Sequence, residues 1–280
     1  SPVEHPAILG NIELLAEKGI TVSYLPVDRN AGVVMEALKQ QIESAPENTL
    51  VCLAHANNEI GTVLPIDEVG AMCKENGALF MCDTVQTMGK YPIDLTASKI
   101  DFAFSSAHKL YGPTGIGFMY INGDYKIQAE QLGGGQEQNM RGGTENIYGI
   151  AGMAKALEVA LENLDDKIDK ITSLRSYFKE KLIEITPDVV FNSPLDKPTL
   201  YNILNIGLPR ENHNDMLVFN LDIAGIAVSG GSACSSGAMT ISHVIQVIAP
   251  DEDLIPVRVS FSKFNTVEEI DKLIELLKTL

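Results

Sequence analysis

The segment from Ser105 to Pro113 reads SSAHKLYGP, and it joins two short apolar runs at residues 101–104 and 115–120. The first run has the length and composition of a buried strand, and the Tyr-Gly-Pro sequence that follows is typical of a turn. In an apolar environment the pKa of a lysine falls, and its neutral amine becomes a nucleophile towards carbonyl groups. Lys109 is therefore either an ordinary loop residue or a buried, reactive amine.

Two polar residues flank this lysine at the end of the predicted strand. Ser106 and His108 both supply hydrogen-bond donors there. The combination fits a Schiff-base lysine that holds pyridoxal phosphate (PLP), with the serine and the histidine binding the phosphate. The segment alone leaves open the plainer alternative, a loop lysine in a turn.

The composition is that of a globular chain with room for one large and one smaller domain. Hydrophobic residues make up 45% of the 280 positions, which is ample for a packed core. No apolar run reaches the length of about eighteen residues that a membrane span needs. The formal net charge of −16 argues against nucleic acid and anionic membrane surfaces as partners.

The cysteine pattern predicts free thiols and no metal site. The four cysteines show no C-x-x-C spacing, so neither a zinc site nor a disulfide framework is expected. The first residues, SPVEH, lack the basic region and long apolar stretch of a secretion signal. We therefore expect a cytoplasmic protein.

Strands and helices alternate through the first 120 residues, which is typical of βαβ units. Strands are predicted at 21–25, 50–54, 78–82, 101–104 and 115–120, and helices at 4–18, 33–42 and 66–75. We expect an α/β fold with a mostly parallel sheet flanked by helices. Ligands of such sheets bind beyond the carboxyl ends of the strands, where Asn58, Asp83 and Lys109 are expected to converge.

The pattern changes after Gly143 and predicts a smaller α+β domain. Its predicted elements are two long helices within 144–186, strands at 199–206 and 257–261, a short helix at 215–221, and a last helix that begins with a capping box at Thr266 and Glu269. We place the boundary near residue 160, so the predicted domains are 1–160 and 161–280.

Asp83 ends the predicted strand 78–82, and Gln86 follows three residues later. A carboxylate here could pair with a protonated pyridine nitrogen, and the glutamine could hydrogen-bond the phenolic oxygen of the cofactor. The alternative is that Asp83 caps the N-terminus of a helix. By residue type alone, the helix cap is the favoured interpretation.

Cys234 lies in a segment of glycines and serines, whereas Cys52, Cys73 and Cys82 lie in apolar surroundings. An accessible thiol can ionise and act as a nucleophile. The alternative is an incidental cysteine in a turn, and the other three are interpreted as core residues.

Three further features have two interpretations each. Arg258 is a charge within a strand pattern, which needs either a substrate carboxylate or an internal acidic partner. The glycine segments 133–135 and 141–144 could cradle a phosphate or simply connect elements. His5 near the start of the first helix is more often structural than catalytic.

Together these segments resemble the cysteine desulfurases of the class V aminotransferase superfamily, which are fold-type I PLP enzymes. The matching stretches appear in the family's order: Glu4-His5, Asn57 to Gly61, Asp83-x-x-Gln86, Ser106 to Pro113, Arg141 to Thr144, Gly231 to Cys234, and Arg258 to Ser260. The resemblance implies an aspartate-aminotransferase-like large domain that binds PLP, and a smaller domain that carries the cysteine loop.

The resemblance also implies a role for each site residue. Lys109 would carry PLP and move the Cα proton, and Cys234 would take the substrate sulfur as a persulfide. Arg258, with Asn58, would bind the carboxylate of L-cysteine. The remaining implied contacts are His5 on the cofactor ring, Asp83 at the pyridine nitrogen, Asn58 and Gln86 on the phenolic side, Ser106 and His108 at the phosphate, and Thr144 at the phosphate of the partner subunit.

The implied protein is a homodimeric transferase that converts L-cysteine to L-alanine and supplies sulfur to an acceptor, such as an iron–sulfur scaffold. The alternatives are a selenocysteine lyase or another class V lyase or aminotransferase, and a catalytically silent scaffold. The family's phosphate-binding loop precedes the Glu-His pair, and here only Ser1 to Val3 precede it. We therefore expect an N-terminally truncated chain.

Overall fold

The computed structural model describes residues 1–45, 48–210, 216–230 and 242–279, so Cys234 lies outside the described residues. The helices are α1 Pro6–Glu17, α2 Met35–Glu43, α3 Ile66–Glu75, α4 Ile147–Leu161, α5 Leu164–Ile185, α6 Leu217–Ile223, α7 His243–Ile248 and α8 Val267–Thr279. The strands are β1 Leu50–Ala54, β2 Leu79–Asp83, β3 Phe102–Ser106, β4 Gly117–Ile121, β5 Val190–Phe191, β6 Ile203–Pro209 and β7 Leu254–Ser260.

A four-stranded sheet, in the order β1-β2-β3-β4, carries the Lys109 segment. The first three strands are parallel, and β4 runs antiparallel to β3. The alternation of strands and helices therefore predicted a mostly parallel α/β sheet correctly. The run that forms β4 differs from the other strands because it returns directly from the turn that follows Lys109, without a crossover helix.

Helix α3 shows why this unit forms a layered core. Its buried residues are Ile66, Val69, Gly70 and Cys73, which recur at helical spacing and so cover one face. A side chain at Gly70 would collide with the carbonyl oxygen of Ser98 at 1.9 Å, so this glycine permits close packing. Asp67 and Glu68 in the first turn and Lys74 in the last turn complement the helix dipole.

A second, antiparallel sheet has the order β5-β6-β7. Strand β6 is buried along nearly its whole length, and helix α8 adds Ile270, Leu273, Ile274 and Leu277 to a core. The rings of Phe178 on α5 and Phe261 pack at 5.9 Å between centroids. The predicted capping box is confirmed, because Thr266 N–H donates to the Glu269 carboxylate at 3.1 Å and Glu269 N–H donates to the Thr266 hydroxyl at 3.4 Å.

The chain divides into two compact units, and both are discontinuous in sequence. The four-stranded unit comprises residues 39–55 and 65–164, and the three-stranded unit comprises residues 1–38, 56–64 and 165–280. The sequence-based division at residue 160 differs from this grouping, because the first 38 residues pack with the C-terminal part. That division into domains stays a prediction.

One predicted strand is wrong. Residues 21–25 alternate in polarity but have irregular structure, and only an isolated bridge between Val27 and Val33 follows them. Alternation stabilises a strand only where a neighbouring strand can pair with it. Among the described residues, no helix is long and apolar enough to cross a bilayer.

Candidate active site

The carboxyl ends of β2 and β3 bring the first group of predicted site residues to one edge of the sheet. The two strands are parallel neighbours, and Asp83 pairs in register with Phe104. Asp83 is the last residue of β2, and Ser106 is the last residue of β3. This edge is where an open α/β sheet binds its ligand.

Asp83 is buried, with 8% of its surface exposed. Its Oδ1 atom accepts a hydrogen bond from Val85 N–H at 2.9 Å, and the next residue, Thr84, donates its N–H to the carbonyl of Phe104 at 3.1 Å. Residues 84–91 form turns rather than a helix. The favoured helix-cap interpretation of Asp83 is therefore wrong, because this carboxylate orders a turn at the sheet edge.

Ser106 and His108 form a hydrogen-bonded pair. The Ser106 hydroxyl lies 2.8 Å from Nδ1 of His108. Both residues stand where β3 passes into a short 3-10 turn, Ala107–Leu110, which ends at Tyr111 with a positive φ of 66°. The turn packs tightly, since a Cβ at Gly112 would lie 3.0 Å from the Cβ of Ala107. A serine hydroxyl and an imidazole held together in this way match the donors that a phosphate group requires.

Lys109 lies in the same 3-10 turn and is exposed in the single chain, so the alternative of a buried amine is wrong here, while its role as the PLP lysine stays a prediction. The desolvated amine of this region is Lys90. Burial, aided by the positive charge of Lys109, lowers the pKa of Lys90 to about 8. Its Nζ atom donates to the carbonyl of Gln86 at 2.8 Å and to the carbonyl of Lys109 at 3.3 Å. Sequence reasoning missed Lys90, because nothing in the Met-Gly-Lys-Tyr sequence indicates burial.

His55 is a second residue that sequence reasoning missed. It follows β1, is 7% exposed, and donates its backbone N–H to the carbonyl of Asp83 at 2.9 Å. Burial lowers the pKa of His55 to about 4, although Asp67 opposes that shift. Its Nδ1 atom has no hydrogen-bond partner within the described residues. A neutral imidazole therefore lies beside the Asp83 backbone at physiological pH.

Two backbone donors of the glycine segment 141–144 are hydrogen-bonded within the chain, which favours the connector interpretation over the phosphate cradle at these two positions. Gly142 N–H donates to the carbonyl of Gln131 at 2.8 Å, and Gly143 N–H donates to the side chain of Gln136 at 3.2 Å. These two donors are therefore engaged within the chain. Thr144 follows them and is exposed.

The other unit holds the second group of predicted residues, and Asn57 organises it. The Asn57 side chain accepts N–H groups of Glu59 and Ile60, each at 2.9 Å, and donates to the carbonyl of Val3 at 2.9 Å. Gly61 closes the turn with a positive φ of 85°. This ordered turn presents Asn58, which is half-buried.

Arg258 lies on β7 and reaches the same turn. Its Nη1 atom donates to the carbonyl of Asn58 at 2.9 Å, and its backbone pairs with Ser229. The acidic neighbour is Glu59, which is fully buried. Burial raises the pKa of Glu59, against the opposing effects of Ser242, His243 and Arg258.

His5 is the N-cap of α1, and its Nδ1 atom accepts Ala7 N–H at 3.1 Å. Because Nδ1 acts as an acceptor, the proton of the neutral ring belongs on Nε2. His5 therefore caps a helix, and its role at the cofactor stays a prediction. In this cap, Nε2 is therefore the ring nitrogen of His5 that can donate a proton.

The described cysteines differ in burial. Cys73 and Cys82 are buried, and Cys52 is half-buried. Burial, and then the negative charge of Asp101, raises the pKa of the Cys73 thiol to about 12, so it stays protonated and inert near neutral pH. Within the described ranges, no group of three or more His, Cys, Asp or Glu side chains is arranged to hold a metal ion.

The four-stranded unit fits PLP by the chemistry of its side chains. At one sheet edge lie the buried carboxylate of Asp83, the hydroxyl–imidazole pair of Ser106 and His108, and the primary amine of Lys109. These groups match, in turn, a pyridinium nitrogen, a phosphate and an aldehyde.

Comparison with known proteins agrees with this interpretation. The family profile described as aminotransferase class-V matches residues 1–273. The cysteine desulfurase IscS of Clostridium botulinum is 40% identical over 281 residues, which cover 98% of this chain and 69% of that protein. The cysteine desulfurase IscS of Dictyoglomus turgidum is 37% identical, with 100% of this chain and 71% of that protein covered.

A solved structure described as a NifS-like protein superposes with a TM-score of 0.89 at 33% identity, covering 100% of this chain and 73% of that chain. The α/β fold predicted from the sequence is thus confirmed. The chain belongs to the class-V aminotransferase family, among its cysteine desulfurases.

Proposed function

We propose that this protein removes sulfur from L-cysteine, releases L-alanine, and holds the sulfur as a persulfide on Cys234. The observation that carries the proposal is the convergence of Asp83, the Ser106–His108 pair and Lys109 at the ends of two parallel neighbouring strands. The relatives named above are cysteine desulfurases, and this chain matches them over nearly its whole length.

The residues of the four-stranded unit would hold PLP. Lys109 would bind its aldehyde, Ser106 and His108 its phosphate, and Asp83 its pyridine nitrogen, with Gln86 at the phenolic oxygen. When bound, PLP delocalises the negative charge that forms at the substrate Cα. The Asp83 carboxylate is already ordered by Val85 N–H, so this charge would need little rearrangement to engage a cationic ring nitrogen.

In the other unit, Arg258 would bind the carboxylate of L-cysteine. The hydrogen bond from Nη1 to Asn58 holds the guanidinium in one orientation, so the remaining donors form a fixed fork. Asn58 would complete the site from the Asn57 turn. His5, with its proton on Nε2, would lie against the cofactor ring and donate or accept a proton there.

The transfer of sulfur from L-cysteine to Cys234 needs no further oxidant or reductant. The Cys234 thiolate attacks the substrate sulfur, so an S–S bond forms while the Cβ–S bond breaks. The electron pair of the broken bond stays on the carbon side, which gains a proton and leaves as L-alanine. The two sulfurs are oxidised to a persulfide, and Cβ is reduced to a methyl group.

The proposal includes a homodimer, a sulfur acceptor and a cytoplasmic location. Ile147 and Tyr148, at the start of α4, are 63% and 86% exposed, which suits an apolar surface that a second copy covers. Thr144 lies three residues before this helix and would reach the phosphate of the partner subunit's site. Free cysteine thiols stay reduced in the cytoplasm, which suits a chain whose proposed nucleophile is a thiol, and an iron–sulfur scaffold is a fitting acceptor.

The test is alanine production by the chain reconstituted with PLP. We expect Cys234→Ala to abolish alanine formation and to leave the visible absorbance band of the bound cofactor unchanged. Cys52→Ala is the matched control and retains activity. A Cys234→Ala protein that forms alanine at the wild-type rate would remove this thiol from the mechanism. Release of sulfur from the substrate without the Cys234 thiol would favour a lyase.

A further inference from the structure

We propose that Lys90 is a positioning residue for the cofactor site, where its ammonium group joins the turn after Asp83, which carries Gln86, to the turn that carries Lys109. The inference rests on the proposed function, since it concerns how this chain presents Lys109 and Gln86 to PLP. It adds a residue that neither the sequence motifs nor the proposed contacts include.

The contacts of Lys90 carry the inference. Its Nζ atom lies 2.8 Å from the carbonyl oxygen of Gln86 and 3.3 Å from the carbonyl oxygen of Lys109. These two acceptors belong to two different predicted cofactor residues. Hydrogen bonds from a charged donor are about twice as strong as neutral ones, so this bridge is a strong link between two loops.

The local chain explains how the lysine reaches both carbonyls. Gly89 has a positive φ of 74°, and Lys90 N–H donates to the carbonyl of Thr87 at 2.9 Å. The side chain of Lys90 therefore folds back over its own turn to the carbonyl of Gln86, four residues earlier. A Cβ at Gly89 would lie 3.0 Å from the Cβ of Ala160 and 3.4 Å from that of Leu110, so the turn is packed against neighbouring elements.

The surroundings of Lys90 indicate that its placement is specific. An ammonium group on the surface would keep its ordinary pKa, whereas burial and the charge of Lys109 lower the pKa of Lys90 to about 8. A half-buried cation beside another cation is costly, and a nonpolar residue would avoid that cost. The hydrogen bonds to the two carbonyls are the compensating contacts that the structure shows.

The test uses Lys90→Met, which keeps the length of the stem and removes the charge and the donors. We measure the Kd for PLP by titration of the apoprotein, and the rate at which borohydride fixes PLP to the Lys109 peptide by mass spectrometry. We expect the Kd to rise by about tenfold or more, because loss of hydrogen bonds from a charged donor typically has an effect of this size. Lys90→Arg, which keeps charge and donors, restores most of the affinity.

Lys74→Met on α3 is the matched control, and we expect it to bind PLP as the wild type does, because this lysine is exposed in the same unit. Thermal unfolding of each apoprotein reports on folding separately. If Lys90→Met does not fold, Lys90→Gln is measured in its place with the same expected direction.

A Kd and a fixation rate that match the wild type in the folded Lys90 variant would overturn the positioning role, even if the melting temperature falls. A wild-type protein that takes up no PLP at Lys109 would overturn the proposed function itself, and this inference with it.

Discussion

Arg258 donates a hydrogen bond from Nη1 to the carbonyl oxygen of Asn58 at 2.9 Å, although 200 residues separate them in sequence. The contact ties strand β7 to the turn that Asn57 orders. Because one donor is committed to the backbone, the orientation of the guanidinium plane is set before any substrate arrives.

We predict that Arg258→Lys raises the KM for L-cysteine by about tenfold or more, because a lysine cannot hold the Asn58 carbonyl and a carboxylate in the same fork geometry. The kcat should change less. Steady-state kinetics of alanine formation measure both values. Arg210→Lys, at a surface ion pair with Asp253, is the matched control. A KM that is equal in Arg258→Lys and the control would contradict a role in substrate binding.

The buried His55 predicts a loss of stability in mild acid. Its pKa is about 4 in the folded chain, against an ordinary value of 6.5, so the unfolded chain takes up a proton first as the pH falls. Stability is therefore lost between pH 6.5 and about 4, by roughly 3 kcal/mol at most. Urea unfolding of wild type and His55→Gln across this range measures the difference.

In the His55→Gln protein this part of the pH dependence is absent, while carboxylate contributions remain in both proteins and cancel in the comparison. A free-energy difference between the two that stays constant from pH 7 to pH 4 would show that His55 titrates normally.

Gly112 predicts a packing effect beside the Lys109 turn. A Cβ there would lie 3.0 Å from both the Cβ and the carbonyl oxygen of Ala107, and 3.1 Å from the Cβ of Ala156. We expect Gly112→Ala to lower the free energy of unfolding by about 1–3 kcal/mol, as overpacking does elsewhere. Gly123→Ala is the control, since nothing lies within 4 Å of its Cβ. Equal melting curves for the two variants would refute the close contact.

The cysteines should differ in reactivity. The pKa of Cys73 is about 12, so iodoacetamide at pH 7.5 should leave this thiol unmodified in the native protein. Cys234, in its glycine- and serine-rich segment, should be alkylated. Peptide mass spectrometry after a short exposure measures both, and the urea-unfolded protein, in which all four cysteines react, is the control. Rapid native labelling of Cys73 would contradict its burial.

The elements predicted best are those in which the periodicity of apolar residues matches the buried face of the strand or helix. Strand β1 and helix α3 have the predicted bounds, because an apolar run between turns and a helical stripe each leave little choice. The alternation at 21–25 failed because pairing depends on a neighbour that local sequence does not encode. The same limit explains the Asp83 cap, where a turn replaced the expected helix.

In the candidate site, too, the position of a residue in the fold was predictable from sequence, whereas its burial was not. The apolar runs of the strands predicted that Asp83, Ser106 and His108 lie at strand ends, and the structure has them there. Burial could not be inferred at Lys109 or Lys90, since the desolvation of an amine depends on the packing of the whole unit. The sequence left the burial of Lys109 open and did not single out Lys90, the lysine whose pKa burial lowers.

The discontinuous units have a consequence for synthesis on the ribosome. Residues 1–38 are translated well before residues 165–280, although both segments belong to the three-stranded unit. The four-stranded unit has all its residues by position 164 and can form while translation continues. The segment 1–38, which includes His5, therefore stays without most of its unit until residues 165–280 have been made, and a chaperone can bind it during that interval.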